Sequence, residues 1–236
     1  MLDTLRAEAA AMDELTASCP VPTPQVVAIG EPGEGYPLPW SVQTWLPGET
    51  ATPEGLAGSP QFAGDLTGLV LALRGADTRG RRFDSGGRGG LLADHDFWVE
   101  RCFAESEGLV DVAGARALWR SVRDLPAPST LTMNHRDLIP ANLLVEGERL
   151  LGVLDGGGFA PADPALDLVA GWHLLDAAAR DVFRSGVGGD DAEWRRGAGW
   201  ALEQAMGLVW YYRESNPAAS ALGLSTVRRL LEAPEL

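Results

Sequence analysis

The sequence predicts an α+β protein in two parts: residues 1–48, with one helix and two strands, and residues 49–236, a mainly helical part with a small hairpin inset. Three observations point there. Leu2, Leu5, Ala9, Met12 and Leu15 fall at helical spacing over residues 2–17. Short β-like runs at 25–30 and 41–46 flank a Gly/Pro turn at 31–39. From about residue 50 onward apolar residues recur mostly at helical spacing.

Each element has a local reason. The first helix stops at Cys19-Pro20-Val21-Pro22-Thr23-Pro24, where three prolines in five residues force an extended path. Residues 41–46 alternate Val42, Thr44 and Leu46 with Ser41, Gln43 and Trp45, a strand that Pro47-Gly48 ends. Residues 61–74, 96–105 and 113–122 read as helices, the last closed by Pro126 and Pro128. Between the first two, residues 74–90 are rich in Gly and Arg, a surface loop by composition. Residues 130–133, 143–145 and 150–154 are short β-like runs interrupted by polar residues at their ends, as expected of a hairpin carrying a site. Beyond Pro164 the pattern is helical with one break at 186–189, and Trp119, Trp172, Trp194, Trp200 and Trp210 are expected in the core.

Charge excludes several classes of partner. There are 33 Asp and Glu against 19 basic residues, a net charge of −14, and every basic residue is Arg. Non-specific nucleic-acid binding needs a basic face that displaces counterions, and docking on anionic membranes needs the same. The balance suits a cationic partner, although solubility explains an acidic excess equally well. Asp176, Asp181, Asp190, Asp191 and Glu193 form an acidic region, read first as a solvated face and second as an attractor of polyamines. Cys19 and Cys102 cannot build a disulfide framework and have no metal-type spacing, so a reducing cytoplasm is the simplest setting. The first six residues lack the basic and apolar regions of a signal peptide, and no stretch approaches the roughly 18 apolar residues of a membrane span.

The chemistry concentrates in Asn134-His135-Arg136-Asp137-Leu138-Ile139-Pro140-Ala141-Asn142, which contains H-R-D-L-x-x-x-N, a catalytic-loop signature of phosphoryl-transfer enzymes. With five fixed positions, a chance match in such a chain is rarer than roughly one in a thousand. Asp155 follows thirteen residues after Asn142, ahead of Gly156-Gly157-Gly158, and Asp163-Pro164-Ala165-Leu166-Asp167-Leu168 lies eight residues further on. Moving a γ-phosphoryl group calls for positioning and charge neutralisation more than covalent work. Asp137 is the residue to orient an acceptor hydroxyl and take its proton, and His135 belongs to the same catalytic loop as a bracing hydrogen-bonder. Asn142 and Asp155 offer hard oxygens to Mg2+. Asp163 reads as a helix N-cap ahead of Pro164, and Asp167 as a brace for the loop. Taken singly, Asp and Asn are ordinary turn formers; the spacing of the set is what marks a site.

On these residues the chain resembles the aminoglycoside phosphotransferase group of the protein-kinase-like fold. Glu34-Gly35-Tyr36-Pro37-Leu38-Pro39-Trp40-Ser41-Val42, Trp45-Leu46-Pro47-Gly48-Glu49, Arg88-Gly89-Gly90-Leu91 and the run at 163–168 share in the likeness, which spans residues 5–215. The resemblance implies a reduced N-terminal β lobe and a helical C-terminal lobe. It also implies ATP or GTP as donor with Mg2+, and a small hydroxyl-bearing acceptor such as an antibiotic, amino alcohol or sugar. Backbone groups of Gln43, Thr44, Trp45 and Leu46 would bind the base at the lobe junction. Glu8 would stand where the family pairs a glutamate with its nucleotide-binding lysine; without that partner it is simply a solvated charge.

Three departures accompany the likeness. The family's phosphate-covering loop and lysine strand belong before the helix at 2–17, and the chain contains no lysine; Arg is a poor geometric substitute. Arg136 stands where the family has a small residue, and Gly156 where an aromatic commonly follows the metal-binding aspartate. A catalytically silent binding module descended from a kinase is therefore the competing expectation. A homodimer that completes the small lobe by pairing at the edge of residues 25–30 is a third.

Overall fold

Pro20, Pro22 and Pro24 lead the chain out of helix α1 (Leu2–Ser18) and into strand β1 (Val26–Gly30), which pairs antiparallel with β2 (Trp40–Gln43). The computed structural model describes all 236 residues. The pair closes tightly at its outer end, where Gly30 faces Trp40 and the indole crosses the space a Cβ would fill. β2 is shorter than the alternation predicts. Thr44 still bonds Gln25, donating its N–H to the carbonyl at 2.9 Å and accepting the amide on Oγ1 at 2.9 Å, but Trp45 and Leu46 leave the ladder. Leu46 then turns onto Gly152, where a Cβ would come 3.1 Å from Cδ1.

β3 (Glu49–Thr50), β5 (Leu143–Glu146) and β6 (Arg149–Val153) form a second antiparallel sheet in the order β3-β5-β6. β4 (Thr132–Asn134) pairs with β7 (Ala160–Ala162) in a third. β7 is absent from the sequence expectation because Pro161 sits in its middle, and proline usually signals the end or edge of a strand. Val153 donates its amide to the Pro22 carbonyl at 3.0 Å, tying the segment after α1 to the second sheet.

The helices follow as α2 (Pro60–Arg74), α3 (Asp96–Glu105), α4 (Val112–Val122), α5 (Val169–Leu174), α6 (Ala177–Val187), α7 (Asp191–Tyr211) and α8 (Pro217–Leu231). Their starts are chemically marked. Ser59, Asp111, Asp176, Asp190 and Asn216 each accept a first-turn amide, satisfying donors that the helix itself leaves open. Much of the acidic region is consumed here: Asp176 and Asp190 are caps, Asp191 pairs with Arg184, and Glu193 pairs with Arg74 at 2.7 Å.

One cluster of 47 buried hydrophobic residues holds the helical part together, and α1 contributes Leu15 to it. α7 runs through its middle, with Trp119, Trp172 and Trp200 fully enclosed and Trp194 nearly so; Trp210 is only half-buried at the periphery. α8 crosses α7 at Gly223, where a Cβ would stand 2.8 Å from the Ala205 carbonyl oxygen, so the two backbones touch. No helix is long and apolar enough to cross a membrane.

His173 of α5 is the polar exception inside this core. Its ring lies between Thr226 Oγ1 at 2.9 Å and Gln204 Oε1 at 3.2 Å. Burial pushes the imidazole down to about 4, with help from the Arg229 and Arg88 charges. The unfolded chain takes up this proton near its ordinary value of 6.5 and the native protein only near 4. Stability is therefore lost as pH falls from above 6.5 to about 4, by at most about 3 kcal/mol from this group, and the contribution levels off below. Urea midpoints at pH 7.5 and 5 measure it: the loss between them is expected to be smaller in His173→Gln than in the parent.

Candidate active site

The loop at 135–142 is seated by one buried carboxylate. Asp167 accepts the backbone amides of His135 at 2.7 Å and Arg136 at 3.1 Å, fixing the chain as it leaves β4. Arg136 sits at φ +73°, a left-handed backbone that non-glycine residues seldom adopt. Its guanidinium compensates by stitching two segments together. It donates to the Gly86 carbonyl, pairs with Asp84 at 3.3 Å and lies over the Phe83 ring at 5.3 Å. Arg136, a departure from the family at sequence level, is thus the clip that holds the Gly/Arg-rich loop against the site.

His135 is fully buried and does not reach solvent. Its Nε2–H donates to the Leu154 carbonyl at 2.8 Å, and Nδ1 has no partner. Grouped with Asp137 on sequence grounds, it is a brace and has no path to a proton on a substrate. Leu154 in turn donates its amide to the Asn142 carbonyl at 2.8 Å, so the residue before Asp155 is bonded to both ends of the loop.

Asp137 is the loop residue that opens outward. Asn142 donates Nδ2 to the Asp137 carbonyl at 2.8 Å and to Oδ2 at 3.3 Å, leaving Asn142 Oδ1 without a protein partner. Burial pushes the Asp137 carboxyl up, the Asp155 charge adds to this, and Arg88, His135 and the Asn142 hydrogen bond oppose it; the net direction is upward. Asp155 is exposed, in a left-handed conformation at φ +58°, and its carboxylate makes no hydrogen bond or ion pair. Nowhere do three His, Cys, Asp or Glu side chains converge as a metal cage. The free oxygens of Asn142 and Asp155 fit a hard cation that arrives with phosphate oxygens and water, as Mg2+ does.

The glycines after Asp155 have a steric cause. Leu15 of α1 fills the space where a Gly156 Cβ would stand, 2.3 Å from Cδ2, and Glu8 lays its stem 3.2 Å from the Cβ position of Gly157. Helix α1 thus fills the space beside this turn. Glu8 forms no ion pair; on the same helix Glu14 pairs with Arg81 at 2.6 Å and Arg79 at 3.8 Å. Gln43 and Thr44 are exposed at the end of β2, Trp45 is 92% exposed, and Trp45 and Leu46 keep backbone groups free of any backbone partner.

Asp137 faces a cleft of about 370 Å³ whose walls include Arg88, Trp98, Ile139, Gln204, Tyr211 and Tyr212. Arg88 was visible in the sequence only as part of a family-like run. In the fold its Nε donates to Glu203 Oε2 at 2.6 Å and Nη1 lies 3.4 Å from Asp137 Oδ1. Burial alone would push the Glu203 carboxyl up, but His95 at 3.2 Å and Arg88 outweigh it and hold the group below the usual carboxylate range. Gly89, at φ +112°, lets the backbone pass Ala162, and its carbonyl accepts the Asp163 amide at 2.9 Å. Asp163 does more than cap: it accepts the Ala165 amide and forms a buried two-pronged pair with Arg196 at 2.8 and 3.2 Å.

A helical lobe built around such a loop, with a small β-containing lobe at its edge, is a protein-kinase-like fold. The chain belongs to the phosphotransferase enzyme family, whose model matches residues 2–200. Among solved structures it is similar to the GDP and kanamycin complex of APH(2")-IIia, at 18% identity and TM-score 0.67 over 97% of this chain and 82% of that one. It is also similar to the apoenzyme of macrolide 2'-phosphotransferase MphH from Brachybacterium faecium, at 20% identity and TM-score 0.56 over 100% and 81%. A thermostable mutant of aminoglycoside phosphotransferase APH(4)-Ia, in ternary complex with ADP and hygromycin B, aligns at 15% identity and TM-score 0.59 over 95% and 81%. These likenesses establish the fold. No curated protein sequence matches the chain.

The seat of the loop is directly testable. Asp167→Ala leaves two buried amides without acceptors and is expected to lower stability by about 2–4 kcal/mol. Hydrogen exchange at His135 and Arg136 should accelerate ahead of the rest of the core.

Proposed function

We propose that the chain transfers the γ-phosphoryl group of ATP or GTP to a hydroxyl of a small molecule, with Asp137 as the acceptor-orienting base. The observation that carries this is the Asp137 carboxylate, gripped on one oxygen by Asn142, lining a cleft, and close enough to Asp155 to feel its charge. Relatives of the same fold bound to GDP and ADP support a nucleotide donor.

Asp137 Oδ1, with only Arg88 nearby at 3.4 Å, is the atom placed to take the acceptor proton as its oxygen bonds to phosphorus and the bond to the leaving diphosphate breaks. A carboxyl already raised by burial is the stronger base for that step. Asn142 Oδ1 and Asp155 would hold Mg2+, which when bound supplies charge neutralisation on the phosphate oxygens. Arg88, clamped by Glu203, keeps Asp137 from swinging into solvent. Thr44 spends its amide on Gln25, so of residues 43–46 Trp45 and Leu46 retain free backbone groups for a base, with the exposed Trp45 indole beside them. In this reading residues 1–48 serve the nucleotide and 49–236 the chemistry and the acceptor, in a cytoplasm that leaves both cysteines reduced.

The absence of lysine favours a second reading, a module that binds nucleotide or small molecule without turnover. Hydrolysis of ATP and GTP with Mg2+, water standing in for the acceptor, separates the two. Asp137→Ala is expected to lower the rate about 10²- to 10⁴-fold with little change in melting temperature. A parent protein that binds Mg·ATP yet shows no hydrolysis, or an Asp137→Ala variant at full rate, refutes the first. Asn142→Ala and Asp155→Ala should raise the Mg2+ concentration needed for half-maximal rate. Arg88→Ala should lower kcat with little change in nucleotide KM, and Arg88→Lys should restore only part of it because a lysine cannot hold the Glu203 and Asp137 contacts with the same planar fork.

A further inference from the structure

We propose that the acceptor taken by the Asp137 cleft is an uncharged alcohol with an apolar ring face rather than a polycation, stacked on Trp98 and Tyr211 and hydrogen-bonded by the Gln204 amide. This rests on the reading of Asp137 as the acceptor-orienting residue and adds the chemistry of what it orients.

The first observation is charge. Arg88 and Asp137 are the only charged residues in the wall of the cleft, and Arg88 is already paired to the buried Glu203. A polycation would bring several ammonium groups beside a guanidinium, and among the wall residues Asp137 is the one carboxylate that could receive any of them. The acidic residues behind the net charge of −14 lie elsewhere. Asp176 and Asp190 cap helices, Asp191 and Glu193 are ion-paired, and Glu105 and Glu214 line a neighbouring groove that shares Tyr211 with the cleft and also holds Arg213.

The second observation is the aromatic wall. Trp98 packs on α7 at Gly207, where a Cβ would stand 3.1 Å from Cζ2, so the glycine lets the indole approach the helix backbone. Tyr211 and Tyr212 meet edge to face with ring centres 5.0 Å apart, and Tyr211 is 61% exposed. Such surfaces bind the apolar faces of rings and need no charge on the ligand.

The third observation is independent of both. Gln204 lines the cleft yet is only 4% exposed, and its Nε2 is buried without a partner while Oε1 contacts His173. The Thr226 hydroxyl donates to the Leu222 carbonyl at 2.9 Å, so its oxygen accepts from His173 Nδ1–H. The neutral ring then carries a lone pair on Nε2, which calls for the amide turned end for end, its NH2 toward His173 and its carbonyl unsatisfied. In either orientation one polar group of Gln204 is left over. A ligand hydroxyl, donor and acceptor at once, satisfies it in both cases; an ammonium, a donor alone, satisfies only the second.

Calorimetry on the full chain without nucleotide tests the acceptor class, using 4-nitrophenyl β-D-glucopyranoside as the uncharged probe and kanamycin as the polycation. The glycoside is expected to bind with little change between 50 and 300 mM salt and to weaken about 3- to 10-fold in Tyr211→Ala. Tyr211 is mostly exposed, so that variant keeps its fold; Gln204→Leu should weaken the same probe, with its melting temperature recorded alongside. Kanamycin should fail to displace the glycoside. Kanamycin binding that is tighter and falls with salt, glycoside binding indifferent to Tyr211→Ala, or no glycoside binding at millimolar concentration each overturns the inference. The same titrations in Asp137→Ala keep the two readings apart. Glycoside binding there with no turnover in the parent sinks the phosphotransfer reading alone, whereas phosphorylation of kanamycin by the parent supports that reading and overturns the acceptor class.

Discussion

Two backbone amides on one buried carboxylate set the position of everything that follows in the site. Asp167 lies in a fully enclosed environment that pushes its carboxyl up, yet it accepts His135 and Arg136 and so fixes the direction in which the chain leaves β4. With that direction set, His135 turns inward to Leu154 and Asp137 turns outward. Leu154 closes the circuit by bonding the Asn142 carbonyl, which fixes the residue before Asp155 while Asp155 itself makes no side-chain hydrogen bond. Asp155 is free of partners, whereas Asp137 is held by Asn142 and lies 3.4 Å from Arg88.

A second layer of charge pairs surrounds this seat and is built entirely with arginine. Arg88, Arg136 and Arg196 each join segments far apart in sequence: Arg88 to Glu203, Arg136 to Asp84 and Gly86, Arg196 to Asp163. The planar fork suits this work, since it reaches two acceptors at defined angles and holds its charge when partly buried. The loop at 74–90, which composition marks as a surface connection, is thereby fastened at Arg81, Asp84, Gly86 and Arg88.

The helices and the spaced polar set were legible in the sequence because both depend on local rules. Periodicity found α1 through α4 to within a residue or two, and of the spaced polar set Asn142 and Asp137 meet in a hydrogen bond. What escaped was non-local. β7 is a strand only because β4 lies beside it, and its central Pro161 argues the other way. The two-residue β3 is too short for any alternation. Arg88 and Glu203 are 115 residues apart, and nothing in either neighbourhood announces the other. Asp163 followed by proline looks like a cap, and only the arrival of Arg196 from α7 makes it half of a buried ion pair.

The glycine turn after Asp155 ties the small lobe to the large one mechanically. Leu15 occupies volume that any side chain at 156 would need, and Glu8 rests on 157, so α1 and the turn interlock like teeth of adjoining gears. Dense interiors transmit such displacements rather than absorb them. The turn that carries Asp155 therefore takes its shape from α1, and any larger side chain at 156 would have to displace Leu15.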